Sequence, residues 1–264
     1  MEENRFIPYK ARELSPEQTA TAAKDFRLLM ESRRSLRFFS DRPVAATVIE
    51  DLIMAAASAP SGAHKQPWFF AAVSDAAIKT RIRQAAEKEE YENYHGRMGE
   101  EWINDLKKFD TNHIKPFLET APWLIILFKK PYDVEEGQKK KNYYVQESVG
   151  IAAGMLITAI HQAGLVTLTH TPSPMQFLSE ILGRPESGVS GHGARGAGLL
   201  LHGWHHPEEA PGRDAVGARA VVLDDRAGAA LDGEHAGHLE DHVLRAAPAA
   251  ERAGELHADH LRPA

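Results

Sequence analysis

The sequence predicts an α+β or α/β sandwich, helices packed on a sheet, and three observations carry that prediction. A wholly apolar run at Trp68–Val73 and the most hydrophobic stretch of the chain, 122–130 with its apolar run Trp123–Phe128, read as buried strands. Capped segments with apolar residues three and four apart stand around them. A long charged helical stretch is inserted between the two runs; it has too little apolar surface to be core and reads as a mobile cover.

Ser15-Pro16-Glu17-Gln18 opens the first helix: Ser15 caps it, Pro16 takes the first helical position, and Gln18 closes a capping box. Phe26, Leu29 and Met30 form its apolar stripe, and it runs into Ser32 and Arg33. Residues 36–39 form a short extended piece. Val48, Leu52, Ile53 and Ala56 mark a second helix, which ends before Pro60 because proline pushes the preceding residue out of the α region. After the strand Trp68–Val73, Asp75 opens a longer helix with Ile78, Ile82, Ala85 and Ala86 on one face. Its later part, 87–97, is heavily charged. A second charged segment, 100–109, has Trp102, Ile103 and Leu106 as its apolar positions. Beyond the strand 122–130, Lys139-Lys140-Lys141 reads as a solvated loop. Residues 144–163 are apolar nearly all round, so this helix needs cover from its own sheet or a second subunit. Gly164 stops it. A strand at 165–169 ends at His170-Thr171-Pro172, and a short helix at 175–182 closes on Gly183.

With 264 residues the chain can bury a substantial core, and its net charge of −6 lends no support to a nucleic-acid surface. It has no cysteine, which removes disulfides, thiolate nucleophiles and iron–sulfur clusters and fits a reducing compartment. No metal site is recognisable either. Residues 1–5 lack the apolar stretch of a signal peptide, and no strongly apolar run outside a helix-like pattern approaches the ~20 residues of a membrane span, so a cytoplasmic protein without a membrane partner is expected. Composition breaks sharply at Ser187. From there to the end Lys, Ile, Phe, Tyr, Thr, Asn, Gln and Met are all absent, and nine of the fourteen histidines lie in that stretch. Residues 1–186 therefore read as the folded domain, with a lid at about 87–118, and 187–264 as an atypical tail. The tail's composition fits a disordered extension or a reading frame shifted in a GC-rich gene.

Two stretches carry candidate chemistry. Arg33-Arg34-Ser35-Leu36-Arg37 puts three guanidinium groups and a hydroxyl within five residues, a fork suited to phosphate. The small-residue turn Ala59-Pro60-Ser61-Gly62-Ala63 exposes backbone suited to a flat polar ring system. Together they point to a phosphorylated, planar cofactor. Glu90 and Tyr94 stand four apart on one helix face, so their tips converge, although a structural pair is the commoner meaning of that spacing. Lys115 alone would be a surface lysine, and Thr171 alone a local cap.

Taken in order, Arg33-Arg34-Ser35-Leu36-Arg37, Pro60-Ser61-Gly62-Ala63-His64, Glu90 with Tyr94, Thr111-Asn112-His113-Ile114-Lys115 and Thr169-His170-Thr171-Pro172 resemble the nitroreductase superfamily of FMN enzymes, and its iodotyrosine deiodinase branch closely. The likeness covers roughly residues 20–186. It implies a nitroreductase-like α+β fold: a central mixed sheet flanked by helices, with a helical lid insertion and FMN held in a homodimer. By the same resemblance Arg33, Arg34, Ser35, Leu36 and Arg37 hold the FMN phosphate and ring edge, and Pro60, Ser61 and Gly62 lie against the isoalloxazine. Thr169, His170 and Thr171 complete the cofactor contacts, Thr171 bonding the reactive flavin nitrogen. Ala63 offers its N–H to a substrate phenolate, while Glu90, Tyr94 and Lys115 bind the amino-acid end of a halotyrosine. His170 is a departure, since the family more often has threonine there.

The implied reaction is reductive dehalogenation of a halotyrosine to tyrosine and halide, with electrons from a reduced pyridine nucleotide such as NADPH, directly or through a separate reductase. The alternatives are a general FMN nitroreductase or quinone reductase, and an inactive flavin-binding relative with a damaged C-terminus. In the family a strand and a basic C-terminal arm follow the motif matching Gly183-Arg184-Pro185. Leu199-Leu200-Leu201 with Gly203-Trp204 is a faint echo of the strand, and nothing selects among Arg213, Arg219 and Arg226 as the phosphate ligand.

Overall fold

The computed structural model describes residues 9–135, 137–183 and 195–203, the last of these through their backbone. The chain divides into two units, Met1–Arg33 and Arg34–Ala264. The first holds helix α1 (Pro16–Ser32), none of whose residues is buried. Its capping box forms as read: Gln18 N–H donates to Ser15 Oγ at 3.2 Å, and Ser15 N–H donates to Gln18 Oε1 at 2.9 Å.

In the second unit the order is α2 (Ala46–Ala57), β1 (Trp68–Val73), α3 (Ala76–Glu92), α4 (Glu100–Lys107), α5 (Phe117–Thr120), β2 (Trp123–Lys129), β3 (Tyr132–Glu135), β4 (Gln138–Lys141), α6 (Val145–Gln162), β5 (Val166–His170), α7 (Gln176–Ile181) and β6 (Arg195–Gly203). A 3-10 turn, Gly62–His64, precedes β1, and a π turn, Asn93–Arg97, extends α3.

Four strands form the main sheet in the order β1-β2-β6-β5, each neighbouring pair antiparallel. Its parallel element is a single bridge between Ser35 and Thr167 on β5. In β2 every residue from Trp123 to Phe128 is buried. Successive strand side chains face opposite ways, so both faces of the sheet are covered. Helix α6 packs on β1, β2 and β5 with α2 against it; α3 packs on α5 and α7, and α7 on β6. The core is built from Phe70, Ile125, Ile126 and Phe128 on the strands and Ile49, Ile53, Leu156 and Ile160 on α2 and α6.

β6 lies past the composition break at Ser187, yet it occupies a central place in the sheet. Leu199, Leu200 and Leu201 pair with Ile126, Ile125 and Leu124 on one side and with His170, Thr169 and Leu168 on the other. Arg184, Pro185, Trp204, Arg213, Arg219 and Arg226 lie outside the described residues.

The structure corrects several sequence expectations. Residues 36–39 pair with no strand; Ser35 alone bridges, while Leu36 and Phe39 turn into the core. Ile49 rather than Val48 faces inward on α2, because the stripe that closes on Leu52, Ile53 and Ala56 at helical spacing starts one residue later. Lys139-Lys140-Lys141 is not a loop but β4, paired with β3. Its side chains remain exposed, and Lys139 Nζ lies 4.5 Å from the Tyr132 ring centroid. Nor is the charged stretch uniformly outside the core, since Glu90 and Asn93 are buried. Helix α6 buries Val149, Ala152, Leu156 and Ile160 but leaves Ile151 exposed. Among the described residues no helix is long and apolar enough to cross a membrane.

Candidate active site

The last turn of α3 and the loop leading into α5 bring two opposite charges together out of water. Glu90 Oε2 lies 3.2 Å from Lys115 Nζ, with the side chains only 9% and 5% exposed. A buried pair is tolerable only when its remaining valences are filled, and here they are. Lys115 Nζ also donates to Thr111 Oγ1 at 3.3 Å and to the Asn112 carbonyl. Glu90 Oε1 lies 3.1 Å from His170 Nε2 on β5. The Lys115 N–H donates to Glu87 Oε1 at 2.6 Å, and Arg83 braces Glu87 at 2.8 Å and Glu119 at 2.9 Å.

Tyr94 stands beside this pair. Lys115 Nζ is 5.7 Å from its ring centroid, and its hydroxyl donates to the Thr111 carbonyl at 3.3 Å. It sits in the π turn, where the backbone widens. Arg37 approaches from the segment after α1, its guanidinium 5.4 Å from the Phe109 ring centroid, and its charge reaches Tyr94, Lys115 and His170.

Burial opposes ionisation of Glu90, but the His170 hydrogen bond and the Lys115 charge outweigh it and hold the carboxyl below its ordinary range. Burial pulls the Lys115 ammonium below the ordinary lysine value, with Glu90 opposing. Burial likewise lowers His170 and raises the Tyr94 phenol. Glu90 is therefore the anion of the site, and His170 is neutral.

Thr171 follows β5 directly and is exposed. The backbone on either side of it is tied to α3 and its π turn. His170 is held through Glu90, and the Ser173 carbonyl accepts from Asn93 Nδ2 at 2.9 Å and Arg97 at 3.1 Å. Arg97 is held in turn by Glu89 at 2.6 Å.

The Ser35–Thr167 bridge lays the arginine-rich segment alongside β5. Arg34, Ser35, Thr169 and Thr171 are all exposed and Arg37 is half-buried, whereas Leu36 is buried as a core residue. Arg33 is the C-cap of α1 and belongs to the first unit.

At the small-residue turn, Pro60 and Ala63 are exposed. Ser61 Oγ accepts from the Gln66 N–H at 2.9 Å. Ala63, His64 and Gln66 all have positive φ, at 51°, 53° and 43°. Three non-glycine residues in that region cost roughly 1–2 kcal/mol each, a concentration of strain typical of ligand clamps. The bonds that close the turn come from His64 and Lys65 N–H, and the Ala63 N–H is not one of them. Gly62 is needed for packing within the chain as well: a Cβ there would stand 2.8 Å from Tyr144 Cδ2 and 3.1 Å from the Tyr143 carbonyl.

The structure thus brings Glu90, Tyr94, Lys115, His170 and Arg37 into one cluster. Sequence reasoning gave no role to Thr111 and Asn112, which hold Lys115, to Glu87, or to Phe117, whose ring meets His170 edge-on at 5.8 Å. Sequence spacing carried no signal for Thr111 and Asn112, because residues 111–115 are not helical and the loop's own fold brings them to Lys115.

Residues 30–196 match the nitroreductase family model. The iodotyrosine deiodinase of Haliscomenobacter hydrossis is 58% identical over 183 residues, covering 69% of this chain and 82% of that protein. The iodotyrosine deiodinase of Hydra vulgaris is 46% identical over 168 residues, covering 63% of this chain and 62% of that relative, so the chain spans under two thirds of its length. A crystal structure of oxidized iodotyrosine deiodinase bound to FMN and 3-iodo-L-tyrosine superposes with a TM-score of 0.60 at 25% identity, over 72% of this chain and 96% of that one.

Proposed function

The chain belongs to the nitroreductase family, on its iodotyrosine deiodinase side, and from that premise we propose that it removes halogen reductively from halotyrosines with FMN as cofactor. The observation that carries the substrate class is the buried Glu90–Lys115 pair beside Tyr94 and the end of β5. A carboxylate and an ammonium held side by side, with a phenol next to them, are complementary to the ammonium and carboxylate of a free amino acid.

The chain's residues suit FMN. The Ser35–Thr167 bridge sets a cationic segment beside exposed threonines at the end of β5, and the strained turn at 63–66 leaves the Ala63 N–H out of its own closure. In our reading Arg34, Ser35 and Arg37 hold the phosphate, and Arg33 joins them on the sequence alone. Leu36 contributes by anchoring that segment in the core. Pro60, Ser61 and Gly62 lie against the ring, Thr169, His170 and Thr171 line its reactive edge, and Ala63 offers its N–H to the substrate phenolate. FMN, when bound and reduced, supplies the two electrons; with one proton they replace the carbon–halogen bond by carbon–hydrogen and release halide. The chain's own part is to fix the amino acid by both charged ends and to exclude water around the pair. The homodimer, the pyridine-nucleotide electron source and the cytoplasmic setting belong to the same proposal; the exposed Ile151 on α6 supports the dimer.

Anaerobic titration of the reduced, FMN-loaded protein with 3-iodo-L-tyrosine tests this. Stoichiometric flavin reoxidation with release of tyrosine and iodide is expected. Reoxidation by nitroaromatics but not by iodotyrosine would replace it with a general nitroreductase, and failure to take up FMN would remove both.

A further inference from the structure

Outside the charged pair, on the exposed side of α3, three rings meet. Tyr91 and His95 stack with their centroids 4.0 Å apart and their planes 22° apart. His113 comes in from the loop before α5 and stands edge-on to both, 5.2 Å from Tyr91 at 89° and 5.7 Å from His95 at 70°. Aromatic rings attract one another at such separations and angles. His95 is tied down further, because its Nδ1 lies 2.8 Å from the Tyr91 carbonyl. A carbonyl only accepts, so Nδ1 carries the proton and donates. That bond runs from the π turn back to the last turn of α3 and fastens the one to the other.

Each ring is a close sequence neighbour of a group of the site. Tyr91 follows Glu90, His95 follows Tyr94, and His113 precedes Lys115 by two residues. The loop that carries His113 and Lys115 has a turn of its own, in which the Ile114 N–H donates to Asn112 Oδ1 at 2.8 Å. Lys115 goes inward from it to Glu90, while His113 goes to the outer side of α3, where Tyr91 is half-exposed. Four ties hold this loop to α3 and its π turn. They are the Glu90–Lys115 pair, the Tyr94 hydroxyl on the Thr111 carbonyl, the Lys115 N–H on Glu87 Oε1, and the rings. The first two use the groups that receive an amino acid. Once its ammonium faces Glu90 and its carboxylate faces Lys115, those side chains no longer hold one another. Keeping them a fixed distance apart then falls to the Glu87 bond and the rings.

We propose that Tyr91, His95 and His113 are positioning residues for the amino-acid end of the substrate. Their ring contacts hold the loop 111–115 on α3 while Glu90, Tyr94 and Lys115 exchange their mutual contacts for contacts to the ligand. This rests on the function proposed above, which makes that trio the receiver of a halotyrosine's ammonium and carboxylate. The rings act through Lys115. They set how far its ammonium stands from the Glu90 carboxylate, and so favour a ligand whose two charged ends sit on one carbon.

The test is a double-mutant cycle on the full-length, FMN-loaded, oxidised protein. Affinity for 3-iodo-L-tyrosine is read from the flavin absorbance, and affinity for FMN is measured alongside. His113→Ala removes both edge-on contacts and should weaken iodotyrosine binding about fivefold while FMN affinity is unchanged. His113→Phe, which restores a flat ring of similar reach, should recover most of that loss. In a Lys115→Met background His113→Ala should cost nothing further, because the ammonium that the ring positions is gone. Three results each overturn the inference and leave the proposed function standing: unchanged iodotyrosine affinity in His113→Ala, no recovery in His113→Phe, or an equal loss in both backgrounds. The last of these would mark a general structural effect that does not pass through Lys115. A wild-type protein that holds FMN but does not bind iodotyrosine overturns both readings.

Discussion

Replacing Lys115 with methionine separates the two jobs assigned to it. In the free protein the ammonium neutralises Glu90, and both side chains are under a tenth exposed, so solvent screens the pair little. Removing one partner of such a pair typically costs about 3–5 kcal/mol, because the other charge stays buried without compensation. For a chain of this size that corresponds to a fall in Tm on the order of 10 °C. The loss also strips a donor from Thr111 Oγ1 and the Asn112 carbonyl, loosening the loop that leads into α5. In the liganded protein a charge-assisted bond to the substrate carboxylate is lost, about 1.5–3 kcal/mol, or roughly ten- to a hundredfold in affinity.

The double variant Glu90→Gln/Lys115→Met distinguishes these effects. Removing the carboxylate's charge relieves the uncompensated burial, so most of the stability should return, while the affinity stays low. Thermal unfolding reads the first quantity, and titration of the FMN-loaded oxidised protein with iodotyrosine reads the second. Unchanged affinity in Lys115→Met, or affinity restored in the double variant, would refute the assignment of this pair to the amino-acid end.

Acid should destabilise the protein in two stages. His170 lies below its ordinary value of 6.5 when folded, so the unfolded chain binds a proton that the folded one does not, and stability falls as pH drops below about 6.5 toward the lowered value. Glu90 lies below its ordinary 4.5, so its contribution is complete above that pH and is lost as pH falls through the lowered value. Urea unfolding at stepped pH should show His170→Gln flattening the upper stage, and an unaltered upper stage would contradict a buried neutral histidine. Arg37→Ala should weaken FMN by roughly tenfold or more, as expected for one charged hydrogen bond, and the salt dependence of FMN binding should fall with it; full retention of FMN would remove Arg37 from the phosphate site. Thr171→Ala should slow flavin reoxidation by iodotyrosine about five- to tenfold while FMN affinity changes little; an unchanged rate would end its assignment to the reactive edge.

The sequence is legible where one residue's chemistry decides a local structure. Ser15 and Gln18 can hardly do anything but close a helix start, and Trp123 to Phe128 can only be a strand covered on both faces. It is less legible where backbone pairing runs under charged side chains. Lys139 to Lys141 looks like solvent-facing loop because the lysines do face solvent, yet their backbone completes a hairpin. The three leucines of β6 stand in a stretch whose composition argues against folding, and only long-range pairing with β2 and β5 shows their place. For the site, the spacing of Glu90 and Tyr94 announces convergence, but no spacing rule places Lys115, which arrives 25 residues after Glu90 and meets it at 3.2 Å. His170 was visible as an unusual residue. That its partner is Glu90 depends on tertiary packing alone.

That contact also redefines which part of the charged insertion can move. A cover that opens as one body would have to break the Glu90–His170 bond, both bonds to the Ser173 carbonyl, and the buried packing of Asn93. Breaking these hydrogen bonds together costs several kcal/mol, so α3 and its π turn are fixed parts of the wall. Helix α4 differs: none of its residues is buried, and Trp102 is 46% exposed. The break between the two falls at Met98 and Gly99, where the backbone turns extended and Gly99 has open space around it. Hydrogen exchange on the FMN-loaded protein should therefore show α4 amides exchanging at least tenfold faster than those of residues 86–93, a difference of about 1.4 kcal/mol or more in local opening. Adding iodotyrosine should slow α4 selectively, because its apolar side gains a surface to cover while α3 is already closed. If residues 86–93 exchange as fast as α4 before ligand is added, the wall is part of the lid, and the ties to His170 and Ser173 form only when substrate arrives.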